Sequence, residues 1–294
     1  MPTYSTPEPI TATIESGAGD IRITASDRND TIVTIRPRNE SRAADRKAAD
    51  QTTAELTGDT LAVKGLKPWH KPFGGFGVTD ITVELPTGSH VTASTGMGKV
   101  AAEGELGRVT AKSAMGDIAI DHMGSGRART AMGDIRIDQV DGDLDVSTST
   151  GEVRVGDVRG SVVVKNSNGA SSLGHVTGDV RVKAANGRID IEEADRSVVA
   201  KTANGNTRIG QVGTGDVQLA SGAGAIEIGI PLGTVAWLDL NSHYGEVRNE
   251  LDAANGPDAA DRTVKVSART GAGDIVVRRS TPATAAGPGP DGRS

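Results

Sequence analysis

Lys165, Lys183 and Lys201 recur at one fixed interval. If the chain winds once per interval, equal spacing stacks them in one column, and a column of ammonium groups is either the solvated polar face that any solenoid needs or a contact surface for an anionic polymer. Arg136 and Arg154 recur in a nearby phase and are expected to run beside them, with Asp145, Asp190 and Glu227 interrupting the stripe. A second grouping is aromatic. Trp69, Phe73 and Phe76 lie in the Gly/Pro-rich stretch LKPWHKPFGGFG, which suits either a partner-binding loop or a cap over an open end. His122 and His175 occupy equivalent positions three repeats apart. Strand spacing then separates them by about 14 Å, too far to share a metal ion bonded at about 2 Å, so they are assigned to the surface.

The recurring Gly-Asp-[Ile/Val] raises calcium, which needs six or more oxygen ligands. Here the acidic position is taken by Lys99, Ser171, Arg188 and Asn206 in other copies, and the aspartates are expected to bond their own turns. Carboxylates are plentiful but scattered by the repeat, with no converging pair of the kind glycoside hydrolysis uses. The chain has no G-x-S-x-G, no phosphate-binding glycine loop and no zinc-ligand spacing. No catalytic, cofactor or metal residues are assigned, and the chain is not expected to be an enzyme.

These residues are placed by a repeat. Glycines stand at 98, 116, 133, 151, 169, 187, 205 and 224, a nearly constant interval that marks a solenoid. Behind them come short alternating runs such as Asp134-Ile135-Arg136-Ile137 and Glu152-Val153-Arg154-Val155. A second turn in each unit leads to runs such as Gly142-Asp143-Leu144-Asp145-Val146 and Gly178-Asp179-Val180-Arg181-Val182. An apolar residue marks the corner between the two: Met123, Val140, Val158, Val176, Ala194 or Val212. The pattern I-x-I-x-x-V-x-x-x-L-x-V gives about five inward side chains per coil. A unit this short cannot bury its own apolar face, so its neighbours must stack on it. The fold expected is all-β: a single parallel β-solenoid of the β-helix or β-roll kind, with about 18 residues and two strands per coil. Met97, Met115, Met132, Thr150, Asn168, Asn186 and Asn204 precede the register glycines and form a further column. Its Asn-Gly pairs suit left-handed turn conformations, and stacked asparagines can hydrogen-bond from coil to coil.

Composition agrees with a narrow tube. The chain has 294 residues, 39 of them glycine, with only two Trp, two Tyr and two Phe. Rings that supply much of an ordinary core are nearly missing. Net charge is −6 with both signs interspersed, which argues against nucleic acid as partner. There is no cysteine, so thiol chemistry is excluded. The N-terminal residues lack a basic and apolar leader, and no run reaches the roughly 18 apolar residues of a membrane span. A cytoplasmic location is expected.

In chain order, residues 1–9 read as an extended arm and residues 10–94 as a β segment with a helix and loop cap. Residues 95–228 are the regular array, residues 229–279 its C-terminal end, and residues 280–294 a Pro/Gly/Ala tail expected to be disordered. The helix falls on residues 40–56, Ala-rich and charged, with a thin stripe of Ala44, Ala48 and Leu56. This helix and the segment carrying Trp237 are expected to cap the two ends and keep the protein monomeric. Gly271-Ala272-Gly273-Asp274-Ile275 repeats Gly17-Ala18-Gly19-Asp20-Ile21, so the terminal blocks are imperfect copies of one unit.

The lead-in Asp80-Ile81-Thr82-Val83-Glu84-Leu85-Pro86-Thr87-Gly88, followed by successive Gly-[Asp/Glu]-[Ile/Val]-x-[Ile/Val] units, resembles the bacterial putative-adhesin domain family, a domain of unknown function built of tandem β-strand repeats. The resemblance covers most of residues 10–278. It implies a parallel solenoid and an adhesin-like binding role, and offers no catalytic residues. The function expected is a non-catalytic binding scaffold that engages a protein or polymer through its faces or end loops. The alternative is a carbohydrate-active β-helix enzyme, a polysaccharide lyase or hydrolase.

Overall fold

The structure is a computed structural model, and it describes residues 2–65, 77–251 and 262–280. Each repeat winds into one coil of a parallel solenoid. Ile135–Val140 pairs in parallel with Val153–Val158, and Leu144–Thr150 with Val162–Asn168, each residue facing its equivalent in the next repeat. The same register carries on through Val180–Asn186, Val198–Asn204 and their partner strands. Near the start of the array the chain turns the corner without leaving the strand, in Val100–Met115 and Ile118–Met132.

Alternation decides which side chains enter. Ile118, Ile135, Val153 and Ile189 stack in one buried column, with Ile120, Ile137, Val155 and Ile191 beside them. Met123, Val140, Val158 and Val176 fill the corner, and Leu144, Val162, Val180 and Val198 face them from the other strand. Each such side chain contributes about 1.5–3 kcal/mol of gross burial, and β-branched chains suit the pleat.

A sixth inward position, absent from the expected pattern, is polar. Thr95, Ser113, Thr130, Thr148, Asn166 and Thr202 are buried, each at the same place shortly before a register glycine. Most reach the glycine carbonyl of the previous coil: Thr130 Oγ1 donates to Gly116 O at 3.0 Å and Asn166 Nδ2 to Gly151 O at 3.1 Å. A small hydroxyl therefore closes the tube where a larger apolar residue would leave that carbonyl unpaired.

The register glycines are required by two facts together. Their φ lies between 136° and 155° in the array. A Cβ on Gly169 would also sit 2.0 Å from the carbonyl oxygen of Gly151 in the coil below. The preceding asparagines are not left-handed, since no non-glycine residue among those described has positive φ. That part of the expectation is corrected: glycine alone makes the turn. The asparagines do form the ladder, with Asn204 Nδ2 donating to Asn186 Oδ1 and Asn186 Nδ2 to Asn168 Oδ1, both at 2.9 Å.

The coils do not stack in chain order at the ends. Thr11–Ala18 lies between Thr60–Lys64 and His90–Met97, and Ile21–Ser26 lies between Thr79–Pro86 and Val100–Met115. At the other end Arg262–Ala272 lies between Gly215–Ala223 and Thr234–Tyr244, and Ile275–Arg279 between Ile226–Ile230 and Val247–Asn249. The two terminal copies of the Gly-Ala-Gly-Asp-Ile motif are thus each tucked one coil inside.

The N-terminal end is closed by antiparallel strands. Asp30–Pro37 pairs with Thr79–Pro86, Thr53–Thr57 with Thr60–Lys64, and Thr3–Ser5 with Asp30–Pro37. The helix is shorter than expected, Ala43–Asp50, and the end of the proposed helical stretch instead enters the strand Thr53–Thr57. The pair Thr52-Thr53 favours extension. Leu56 belongs to that strand. Asp45, 2% exposed, holds the helix in place by accepting from the backbone N–H of Val78 at 3.0 Å and of Asn39 at 3.2 Å. At the other end Trp237 belongs to Thr234–Tyr244, the strand that covers Arg262–Ala272. It lies on the outermost coil and is 62% exposed, because its position in the alternation points outward. No described strand pairs beyond it. Among the described residues no helix is long and apolar enough to cross a membrane.

Candidate functional site

The solenoid presents two broad faces of different chemistry. The first is carried by Val162–Asn168, Val180–Asn186 and Val198–Asn204 with the strands stacked on them. Lys165, Lys183 and Lys201 are Cα partners in consecutive coils, exposed, and about 4.8 Å apart by strand spacing. The column extends past them. Ser147 and then Arg129 and Lys112 precede Lys165, while Ala220 and Arg269 follow Lys201. Among the described residues none of the lysines in this column makes an ion pair. Arg129 lies 3.6 Å from Asp145 and Arg269 lies 3.3 Å from Asp239.

The other face behaves differently. Arg136 and Arg154 are in register with each other but on the opposite sheet, in Ile135–Val140 and Val153–Val158. The expectation that they flank the lysines is corrected: a corner and a turn intervene. Each holds a carboxylate, Arg136 with Asp138 at 2.8 Å and Arg154 with Glu152. Arg208 likewise meets Asp190 at 3.4 Å, and Arg278 meets Glu227. Of the three acids expected to interrupt the lysines, only Asp145 is on their face; Asp190 and Glu227 belong to the opposite sheet.

Where the first face approaches the C-terminal end, replacement of the column's long cation by Ala220 leaves a hollow of about 430 Å³. Lys201, Lys265, Arg269, Gln218, Asp216 and Asp239 line it. Trp237 is the Cα partner of Lys265 and points to the same side. The aromatic loop, Trp69, Phe73 and Phe76, lies outside the described residues, as does the tail from 281 onward.

The Gly-Asp motif has a structural task, though not the one expected. Asp134 Oδ1 accepts from the backbone N–H of Glu152 at 2.7 Å, and Asp117 Oδ1 from that of Asp134 at 2.9 Å. The aspartate bonds the turn of the next coil, not its own. The same contact joins Asp20 to Lys99 and Asp274 to Glu246.

The histidines find partners one coil on. His122 Nε2 lies 2.8 Å from Asp141, which also accepts from Arg159 at 2.9 Å. The His122 contact, with Arg159 behind it, holds the Asp141 carboxyl below its usual range. His175 Nε2 lies 3.3 Å from Asp195. Comparing one histidine with another misses these pairs; comparing each with the residues one repeat further on, at the same corner, would find them.

Solved structures of similar extent exist at low identity. That of a putative adhesin from Bacteroides fragilis is 13% identical, covering 94% of this chain and 95% of its own, with a TM-score of 0.39. That of a putative lipid binding protein from Parabacteroides distasonis is 15% identical, covering 95% and 96%, with a TM-score of 0.42. That of a putative adhesin from Parabacteroides merdae is 14% identical, covering 95% of each, with a TM-score of 0.27. No curated protein matches. The model of the Toastrack DUF4097 family, a β-solenoid family, spans residues 11–278, and the chain belongs to it.

Proposed function

We propose that the chain is a non-catalytic, adhesin-like scaffold that holds an anionic polymer along its lysine face. The observation that carries this reading is the register of Lys165, Lys183 and Lys201 with no acid partner among the described residues. Adjacent ammonium groups at this spacing repel by roughly 1 kcal/mol per pair in water, and an anionic chain laid along the axis relieves that repulsion. The hollow beside Lys201, with Lys265 and Arg269 in its wall, supplies an end where an acidic sugar ring can be gripped by charge, and Trp237, the register partner of Lys265, stands next to it as a stacking surface.

The enzyme alternative is weaker on geometry. Asp216 and Asp239 line one hollow, but they are two coils and two residues apart in register. That puts their Cα atoms roughly 12 Å apart, with nothing in the register that points the two carboxyls at one another as glycoside hydrolysis requires. Asp239 is also bound to Arg269.

The test is titration with a polyuronate, a sulfated glycan, a neutral glycan and duplex DNA at several salt concentrations. Salt-sensitive binding of the acidic glycans, lost in the Lys165→Ser, Lys183→Ser, Lys201→Ser triple variant, supports the proposal. Unchanged binding by the variant would overturn it, as would the appearance of new reducing ends. Tighter binding of DNA than of either acidic glycan would return nucleic acid as the partner.

A further inference from the structure

The two histidine corners are copies of one position three coils apart, and they differ in a way the repeat does not require. In the first, His122 faces Gln139 and Asp141 of the next coil, and Arg159 of the coil after that bonds Asp141. In the second, His175 faces Glu193 and Asp195, and the position of Arg159 is held by Gly213. The backbone identifies these equivalences: Arg159 N donates to Val140 O just as Gly213 N donates to Ala194 O. The change from Gln139 to Glu193 adds a carboxylate. The change from Arg159 to Gly213 removes the cation that would balance it. Among the described residues Arg196, next to Asp195 in sequence, makes no ion pair with either acid.

We infer that His175, Glu193 and Asp195 form a binding site for a first-row divalent transition ion of the zinc class. One ligand atom from each of the three can be chosen so that all lie within 4.8 Å of one another, and all three residues are half-buried. His175 Nε2 and Asp195 Oδ1 are 3.3 Å apart. Two donors bonded to zinc at roughly 2.0–2.1 Å and at the tetrahedral angle stand about 3.3–3.4 Å apart, so this edge is already set. Glu193 is steered by the next coil, where Gln211 Nε2 donates to its Oε1 at 2.9 Å, the kind of outer contact that orients a metal ligand. It leaves the second oxygen of Glu193 to bond the ion. Imidazole beside two carboxylates selects against calcium and magnesium, which take oxygen almost exclusively. Three protein ligands leave room for water to complete the sphere.

The site is independent of the lysine face: His175 and Glu193 are on the other strand of the coil.

Isothermal titration of the full chain with zinc chloride in a non-chelating buffer tests the inference. One ion per chain is expected. Affinity should fall by at least about tenfold in His175→Ala and in Asp195→Asn and stay unchanged in His122→Ala. Gly213→Arg should weaken zinc in the same way, by restoring the missing cation. Thermal melts with and without zinc give a second readout, in which only proteins with the intact corner are raised. Zinc binding that survives both His175→Ala and Asp195→Asn would overturn the inference, as would no binding at millimolar zinc by a folded wild-type chain.

Discussion

On the face carried by Val162–Asn168 and its neighbours, Lys165, Lys183 and Lys201 extend into solvent with no carboxylate partner among the described residues. On the face carried by Ile135–Val140 and its neighbours, Arg136, Arg154, Arg208 and Arg278 each hold an acid from their own or an adjacent coil. Both faces have polar outward positions because the inward ones are spent on the core. Solubility alone would be satisfied by either arrangement. What differs is whether charge is neutralised within the protein or left for something else. Exposed pairs such as Arg136–Asp138 add little stability, so their main effect is to remove an attractive potential from that face. The lysine face keeps its potential even though the whole chain carries net −6.

The most disruptive way to break this contrast is at the turn shared by both faces. Gly169→Ala sets a Cβ 2.0 Å from the carbonyl of Gly151 and strains a φ of 136°. It should cost about 3 kcal/mol or more, seen as a lower denaturation midpoint, and should misalign Lys165 with Lys183. Next in size is the charge itself. Removing Lys165, Lys183 and Lys201 should weaken an acidic polymer about a hundredfold, at roughly 1 kcal/mol per contact, with a melting temperature at or above that of the wild type because the repulsion along the column is gone. The Arg136→Ser, Arg154→Ser double variant should bind as the wild type does, and equal losses from the two sets would erase the distinction between the faces.

Smaller effects sharpen it further. Thr130→Val deletes the hydroxyl that donates to Gly116 O, and should cost about 1 kcal/mol of stability while polymer affinity holds. The smallest effect is local. Asp141 has its carboxyl depressed below the ordinary aspartate value in the folded protein, by the His122 contact first. A depressed carboxylate stabilises the fold above its unfolded pKa and loses that contribution as pH falls through the folded value. In His122→Ala the Asp141 titration followed by NMR should move back up toward the ordinary value. An unmoved titration would mean that Gln139 and Arg159 set it without the histidine.

The inward columns are legible in the sequence because they depend only on local alternation. Ile135, Ile137, Val140, Leu144 and Val146 can be assigned to the core from the period alone. The sixth column is nearly as regular, with Thr130 and Thr148 at the same offset before a glycine and only Asn166 and Ala184 departing from a hydroxyl in the array. It escapes notice because threonine in a strand is commonplace by type. Its meaning lies in a carbonyl one coil away. The lysine column is visible for the same reason as the core, equal spacing. The placement of Arg136 and Arg154 is not, since phase within a repeat does not say on which side of a corner a residue emerges. The helix is overextended in the sequence reading because Ala-rich composition signals propensity, whereas Thr53–Thr57 is recruited by the edge of Thr60–Lys64. In the same way Asp45 anchors the helix through backbone groups of residues 39 and 78.

The sequence by itself determined the length of the coil, the glycine turns and the inward side chains, because stacking similar units makes each local rule repeat at every level. Only the tertiary structure decided the axial order at the two ends, where Thr11–Ala18 and Arg262–Ala272 slip between coils that are neighbours in the chain. It also decided which outward residues meet across coils, the asparagine ladder and the His175 corner among them. The physical reason is the same for both. A strand edge offers its hydrogen bonds to any strand that fits, and the winner is fixed by packing against residues far away in the chain.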